Sequence, residues 1–469
     1  MQTLQNQPQR DKASIVDPNG FLFHQNDKIY RAIYPQNKDF YLGLFKDGTV
    51  GELTKSYQLI DSQLSDMTVD SLPHHLFINH RKLDKVNYCN EWTFSMLKDA
   101  AELTLQMNKY LLERDLVLQD AYPWNIIFEG TQPKFVDFGS IAKNEHKYLW
   151  QAQQQFLNFF YYPLILLSQD KGKFVRFAFQ ECIEGINIED CYSYTDAKYF
   201  FRHPLIFTKL KLETALHRFL NKKQHLKMKL KAGIEGKLQD IKVKKEIQVN
   251  FAGKLLKQLK GIKAPTGYNF WEDYYQFQDH EIDYQKKLDF LTNYFKSTPH
   301  QDVLDLGCNT GRFSIVAAEA GKRVVSVDGS EQVIDGLYNY AKKNKLNITP
   351  LVVNLLNPTP AYGFDNEQFG AFKNRMKSEV VLFLGIMHHI HINGRQTFEN
   401  IASFLNHITK KELIFEYVAL DDRNNQFLDS GRKIQYTKEE VLGHLGKYFN
   451  ITEHESDRPT RKLLVCSKK

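Results

Sequence analysis

The stretch "VLDLGCNTGRFSI", Val303–Ile315, followed by "RVVSVD", Arg323–Asp328, decides how the C-terminal part of this chain folds. "DVLDLG" reads as a buried parallel strand, "RFSIVAAEAG" (Arg312–Gly321) as the helix after it, and "RVVSVD" as a second strand ending on Asp328. Upstream, Ile282–Phe295 carries apolar residues at helical spacing and runs into a turn, "KSTPHQ". A β–turn–helix–β unit with an acid at the tip of each strand predicts a doubly wound α/β sheet that binds a nucleotide-like cofactor.

Each residue of the turn answers a physical need. A cofactor lying over the strand tips needs close backbone approach, which Gly307 and Gly311 permit. Asn309 stands between them, and asparagine tolerates a left-handed backbone better than most side chains. The start of the next helix offers free N–H groups to an anionic end such as a methionine carboxylate. Asp328 can accept hydrogen bonds from two ribose hydroxyls. A glycine-rich turn alone does not separate NAD, FAD and S-adenosyl-L-methionine (SAM). Asp305, two residues before the first glycine, favours SAM: a sulfonium is positive, whereas a pyrophosphate there would repel a carboxylate.

"VLDLGCNTG" with "VVSVD" resembles motif I and the second-strand acid of class I SAM-dependent methyltransferases. The resemblance implies a Rossmann-like, seven-stranded fold whose last strand is antiparallel. It places "LVVNLLNP" (Leu351–Pro358) at the third strand, with Asn354 facing adenine where the family usually has Asp. "VVLFLGIMHHIHI" (Val380–Ile392) then occupies the fourth strand, "KELIFEYV" the fifth, and "FNITEHES" with "RKLLVCSKK" the closing antiparallel pair. The cofactor set is therefore Asp305, Gly307, Asn309, Gly311, Asp328 and Asn354.

Methyl transfer to oxygen or nitrogen is an in-line displacement that needs a positioned acceptor and, for a poor nucleophile, a base. His388 and His389 follow the fourth strand, and either can serve, since histidine titrates near neutral pH. His388 is slightly preferred. Glu416, at the tip of "LIFEYV", is a third catalytic candidate. Glu367 and Arg375 in "DNEQFGAFKNR", and Arg461, are candidates for the acceptor pocket, although a salt-bridged helix would use the same letters.

Outward from this unit, 469 residues are too many for one ordinary core, so two or three domains are expected. The first residues, "MQTLQNQPQRDKAS", lack an apolar h-region. "FLNFFYYPLILL" (Phe156–Leu167) is too short to span a bilayer and reads as a buried helix pair or a helix ending at Pro163. Five scattered cysteines without C-x-x-C pairing, and histidines without ligand spacing, give neither a disulfide framework nor a zinc site, and suit a reducing cytoplasm.

The net charge of +7 is concentrated. Leu205–Lys263 holds sixteen Lys/Arg against four Asp/Glu, a balance of +12, which leaves −5 elsewhere. Leu210, Leu216, Phe219, Leu220, Leu226 and Leu230 recur there at helical spacings, with Gly233, Gly236, Gly253 and Gly261 as punctuation and "KAPTG" at the end. This reads as a basic helical connector, 205–267, whose lysines solvate an outer face or meet RNA, anionic lipid or an acidic metabolite.

Before it, "LQDAYPWNIIFEGTQPKFVDFGS" places an Asp five residues before an Asn and then a DFG triplet. These features resemble a protein-kinase or aminoglycoside-phosphotransferase site, in which Asp120 would be the base and Asn125 and Asp137 would hold magnesium against ATP. The usual glycine-rich loop is lacking, "YLGLFKDGTVG" being a poor substitute, and "KIYRAI" puts Arg31 where a lysine would be sought. From about Asp17 to the end, the chain resembles a bacterial group of two-part, partly nodulation-type methyltransferases in which a kinase-like segment precedes the SAM domain. The expected layout is a kinase-like α+β domain at 1–204, the connector at 205–267, and the methyltransferase at 268–469. The function implied is methylation of O or N on a small molecule, sugar or natural product, with the kinase-like part binding acceptor. A bifunctional kinase–methyltransferase and an RNA-modifying enzyme stand as alternatives.

Overall fold

The computed structural model describes residues 8–12, 17–222, 242–265, 285–422 and 436–469, with the backbone of 3–4. Leu226, Leu230, Gly233, Gly236, Gly267 and the start of the helix expected from Ile282 lie outside the described residues.

The N-terminal lobe begins with antiparallel strands β1 (Gly20–Gln25), β2 (Lys28–Ile33), β3 (Ser62–Leu64) and β4 (Leu76–His80), in the order β1-β2-β4-β3. Asn26 and Asp27, both with positive φ, close the β1–β2 hairpin as a two-residue turn requires. "YLGLFKDGTVG" is no loop: it spans α1 (Lys38–Lys46) and the start of α2 (Thr49–Tyr57). Helix α3 (Phe94–Leu112) starts where the Thr93 hydroxyl accepts from Met96 N, and Met96, Leu97, Ala100, Leu103 and Met107 are buried along it. Two short ribbons follow, β5 (Leu116–Leu118) with β8 (Ile141–Lys143), and β6 (Ile126–Glu129) with β7 (Gln132–Phe135). They carry Asp120, Asn125 and Asp137 on adjoining loops.

The apolar run at 156–167 does not end at its proline. Leu157–Tyr161 forms a π-helical turn, and α4 (Tyr162–Leu167) continues past Pro163. The wider turn interrupts the regular ladder just where the missing proline N–H would break it. Helices α5 (Gly172–Glu181), α6 (Ile188–Tyr194), α7 (Pro204–Lys222) and α8 (Lys245–Lys260) complete the lobe.

The basic segment corrects its periodic reading. On α7 Leu210 is buried, whereas Leu216 and Phe219 are exposed. Gly253 lies inside α8 and breaks nothing. Gln248, Ala252, Leu255 and Leu259 make one buried row of α8, at helical spacing, that joins the core around α3. The second half of the expected connector is thus part of the N-terminal lobe.

After α9 (Gln285–Ser297), the C-terminal lobe is built on β9 (Asp302–Leu306), α10 (Arg312–Glu319), β10 (Arg323–Asp328), α11 (Glu331–Asn344), β11 (Ile348–Val352), β12 (Ser378–Leu384), α12 (Phe398–Ile408), β13 (Thr409–Val418), α13 (Lys438–Leu445), β14 (Phe449–Glu455) and β15 (Arg461–Lys468). The strand order is β11-β10-β9-β12-β13-β15-β14. All neighbours are parallel except β15, which inserts between β13 and β14 and runs antiparallel to both. The central strands are apolar on both faces, as helix-covered parallel strands must be. Val303, Val324, Val380 and Ile414 face one core; Leu304, Val325, Val381 and Leu413 face another that continues into the N-terminal lobe.

The lobes share more than apolar surface. Helix α11 lies along α3: Ser95 N and Oγ donate to Asp335 at 2.9 Å each, and Tyr338 OH donates to Asp99 at 2.5 Å. From the segment between β11 and β12, Tyr362 accepts from Trp124 Nε1 at 2.8 Å, and Phe369 stacks on the Trp124 ring.

Candidate active site

The loop from β9 to α10 takes the shape the sequence requires. Gly307, Asn309 and Gly311 all have positive φ (72°, 50° and 80°). A Cβ on Gly307 would sit 2.7 Å from Ile386, and one on Gly311 would sit 2.5 Å from Leu337, so neither position accepts a side chain without displacement. The N–H groups of Gly307 and Cys308 donate to Val327 O at 2.9 and 3.0 Å, tying the loop to β10. Asp328 accepts from Asn309 N at 3.1 Å on one oxygen and from Ser330 N at 2.9 Å on the other. Each oxygen keeps lone-pair capacity for a ribose hydroxyl.

Asp305 is wholly buried under this loop. It accepts from Ser314 Oγ at 2.6 Å, and Ser326 backs that serine at 2.7 Å. Burial pushes its carboxyl up to about 7, opposed by the Ser314 bond and reinforced by the Asp328 charge. A cation arriving nearby would favour the ionised form.

A cavity of about 580 Å³ brings Asp305, Gly307, Asn309 and Asp328 together with His388, His389, Glu416 and Arg461. Asn354 is exposed and lines a neighbouring cleft of about 850 Å³ between the lobes, which meets the first cavity at Ser330. Gly311 caps α10 behind the loop.

The two histidines differ in environment. His388 is buried, its Nδ1 has no partner among the described residues, and desolvation pushes its pKa down to about 3. His389 is exposed, with its ring centroid 4.2 Å from that of His388, and desolvation lowers it too. Both are therefore neutral at pH 7.

Glu416 departs from the expectation of a free catalytic carboxylate. Both its oxygens accept from Lys287 Nζ at 2.7 Å, Ser456 Oγ lies at 3.4 Å, and Arg461 Nη1 at 3.8 Å. Burial pushes the lysine down while Glu416 raises it. A carboxylate held in this way positions its neighbours and is a poor proton acceptor. Lys287 escaped the sequence reading because its partner lies far along the chain. Its signal was a lysine on the buried row Lys287, Leu291 and Phe295 of α9, where a fourth apolar residue would be expected.

Two acceptor-pocket candidates sit elsewhere. Arg375 is in the seam between lobes, donating to Glu91 at 2.5 Å, and Glu367 pairs with Lys12. Arg461 does line the cavity, anchored by Asp422 at 2.9 and 3.1 Å.

In the N-terminal lobe, Asp120, Asn125 and Asp137 line one pocket of about 350 Å³ with Arg31, Asp17 and Gln368. Arg31 Nη2 donates to Asp137 at 3.2 Å, and Arg31 Nη1 pairs with Asp17. Burial raises both Asp120 and Asp137 above the usual carboxylate range.

The family described as "Methyltransferase domain" matches residues 274–455, which include the whole of this loop and cavity except Arg461. The C-terminal lobe is a class I SAM-dependent methyltransferase domain. The methyltransferase chain is also similar to nodulation protein NoeA of Rhizobium meliloti (strain 1021), with 25% identity over 437 residues, 91% of this chain and 88% of the relative. Solved structures similar to the methyltransferase include magnesium protoporphyrin IX methyltransferase (ChlM) from Synechocystis PCC 6803 with bound SAM, at 18% identity over 44% of this chain and 92% of that one, TM-score 0.30. Another is the bifunctional kinase-methyltransferase WbdD, at 19% identity over 40% of each chain, TM-score 0.30. The cofactor is SAM, and the glycine-lined turn, Asp328 and buried Asp305 form a site that suits its carboxylate, ribose and sulfonium.

Proposed function

We propose that this methyltransferase alkylates an oxygen or nitrogen of a small-molecule, sugar or natural-product acceptor entering beside His388 and His389. The supporting observation is the single cavity of about 580 Å³ in which the cofactor loop and both histidines meet. Bound SAM supplies an electrophilic methyl group on a sulfonium. Around it, Asp328 holds the ribose and Asp305 offers negative charge beneath the loop.

Proton removal falls to the histidine pair. A base near neutral pKa works best, and the deep burial that pushes His388 to about 3 makes it the weaker acceptor. We assign His389 as the base, with solvent beside it to carry the proton away, and His388 as a neutral hydrogen-bonding partner of the acceptor. Lys287, Glu416 and Arg461 form the charged floor that fixes the acceptor's polar groups. Calorimetry with SAM and S-adenosylhomocysteine (SAH), followed by labelled-methyl transfer into fractionated small-molecule extracts, tests the assignment. Binding of neither compound would overturn it.

For the N-terminal lobe we propose a kinase-like fold spanning 1–204, extended by α8, that serves acceptor binding. Asp120, Asn125 and Asp137 lining one pocket supports common descent with phosphotransferases. The same pocket argues against a magnesium-dependent kinase, because the Arg31 guanidinium already bonds the Asp137 carboxylate that would take the metal. Lys-rich α7 and α8 keep an anionic acceptor or RNA as an alternative partner. Among the described residues, no helix is long and apolar enough to cross a membrane.

A further inference from the structure

We infer that the N-terminal lobe builds part of the cofactor site, with Arg176 on α5 acting as a positioning residue for the adenosyl end. This rests on the cofactor reading and extends it to residues more than a hundred positions away in sequence.

The geometry starts at Asp328. The three residues after it, Gly329, Ser330 and Glu331, lead into α11, and they line the interlobe cleft together with Val353 and Asn354. In this fold the adenosyl end lies between the acid ending the second strand and the residues ending the third. The cleft is therefore where adenine must go, and its other wall belongs to α5.

Arg176 Nη2 donates to Glu331 Oε2 at 2.6 Å, and both side chains are largely buried. Burial raises the Glu331 carboxyl, and Arg176 is the main influence lowering it. The second guanidinium nitrogen, Nη1, is buried without a partner among the described residues. A buried donor left unpaired costs about 1–3 kcal/mol, and Arg176 lines the cleft, so a small turn of its guanidinium toward a ligand acceptor atom there, such as an adenine ring nitrogen, would relieve it. Phe174 and Phe177 lie on the same helix and wall, and Phe177 is 71% exposed. An exposed aromatic beside a purine site offers a stacking face.

The approach of the wall is also built in. Gly172 opens α5, and a Cβ there would sit 2.1 Å from Glu331 Oε2. A side chain there would displace the Glu331 carboxylate and the Arg176 guanidinium, so glycine keeps this ion pair in place.

SAH binding by calorimetry, using the full chain, tests this. Arg176→Ala is expected to weaken SAH about tenfold, by loss of one charged hydrogen bond, and Arg176→Lys to recover part of it. The preference of the wild type for SAH over deaza analogues, in which an adenine ring nitrogen is replaced by C–H, is expected to shrink in Arg176→Ala, which a general loosening of the fold would not single out. Phe177→Ala, at an exposed position that folding does not need, is expected to weaken SAH about threefold and decides the matter if Arg176→Ala does not fold. Unchanged SAH affinity in the folded variants would overturn the inference and leave the methyltransferase reading intact. Failure of the wild type to bind SAH would overturn both.

Discussion

Arg375, in the segment between β11 and β12, donates to Glu91 of the N-terminal lobe at 2.5 and 3.2 Å, and Glu91 is completely buried. Its guanidinium also bonds the carbonyls of Val86 and Gly370 and stacks over the Tyr88 ring. The pair sits in the seam, so this buried charge contact joins the methyltransferase sheet to the N-terminal lobe alongside the Arg176–Glu331 pair and the common core.

Removing one partner strands the other. Arg375→Ala is expected to destabilise the protein by about 3–5 kcal/mol, because an uncompensated carboxylate remains buried. Replacing both, as Glu91→Leu with Arg375→Met, should cost much less. Denaturant unfolding measures both, and equal losses in the single and double variants would refute the seam argument.

Cofactor affinity should depend on pH through Asp305. Its folded pKa is raised from 3.8 to about 7, so the empty site still carries a proton where an unfolded chain would have lost it. Sign follows: this group lowers the stability of the empty protein as pH rises from about 4 to 7. A sulfonium favours the ionised form, so SAM binding should tighten as pH rises through 7, with proton release. Asp305→Asn should weaken SAM and flatten the profile. Calorimetry in buffers of different ionisation enthalpy counts the protons.

Lys287→Met would leave Glu416 buried with only the Ser456 hydroxyl at 3.4 Å and Arg461 at 3.8 Å, with an expected loss of about 3 kcal/mol. Pairing it with Glu416→Leu should restore most of the stability and none of the methyl transfer. Thermal unfolding and label incorporation, run on the same samples, separate the two effects.

The roles proposed for the two histidines predict different losses. His389→Ala should lower methyl transfer by about 10²–10⁴-fold, the usual yield of a positioned base, while SAH affinity stays near that of the wild type. His388→Ala should act chiefly on the acceptor KM. A pH–rate profile unchanged in His389→Ala would count against its assignment as the base.

For the N-terminal pocket, no magnesium-dependent ATP binding is expected while Arg31 holds Asp137. Tight ATP binding abolished by Asp137→Ala would instead favour the bifunctional reading. Equilibrium titration with a fluorescent ATP analogue reads either result.

Local chemistry made the cofactor loop legible. Gly307, Asn309 and Gly311 need left-handed backbone, Asp328 ends an apolar strand, and each of these facts is written within a few residues. The strands of the C-terminal sheet were legible for the same reason, since buried parallel strands are continuous apolar runs. Pairings across the chain were not. Nothing beside Glu416 announces Lys287, nothing beside Arg375 announces Glu91, and Arg176 reaches Glu331 only because α5 packs on α11. Whether Leu216 or Leu255 is buried likewise depended on which helix met a neighbour, since both repeat at helical spacing. The sequence by itself determined the backbone shapes and the chemistry of the cofactor. Only tertiary structure decided which charges are neutralised, how deeply each histidine is buried, and that two lobes line one cleft, because desolvation and pairing depend on what distant segments bring.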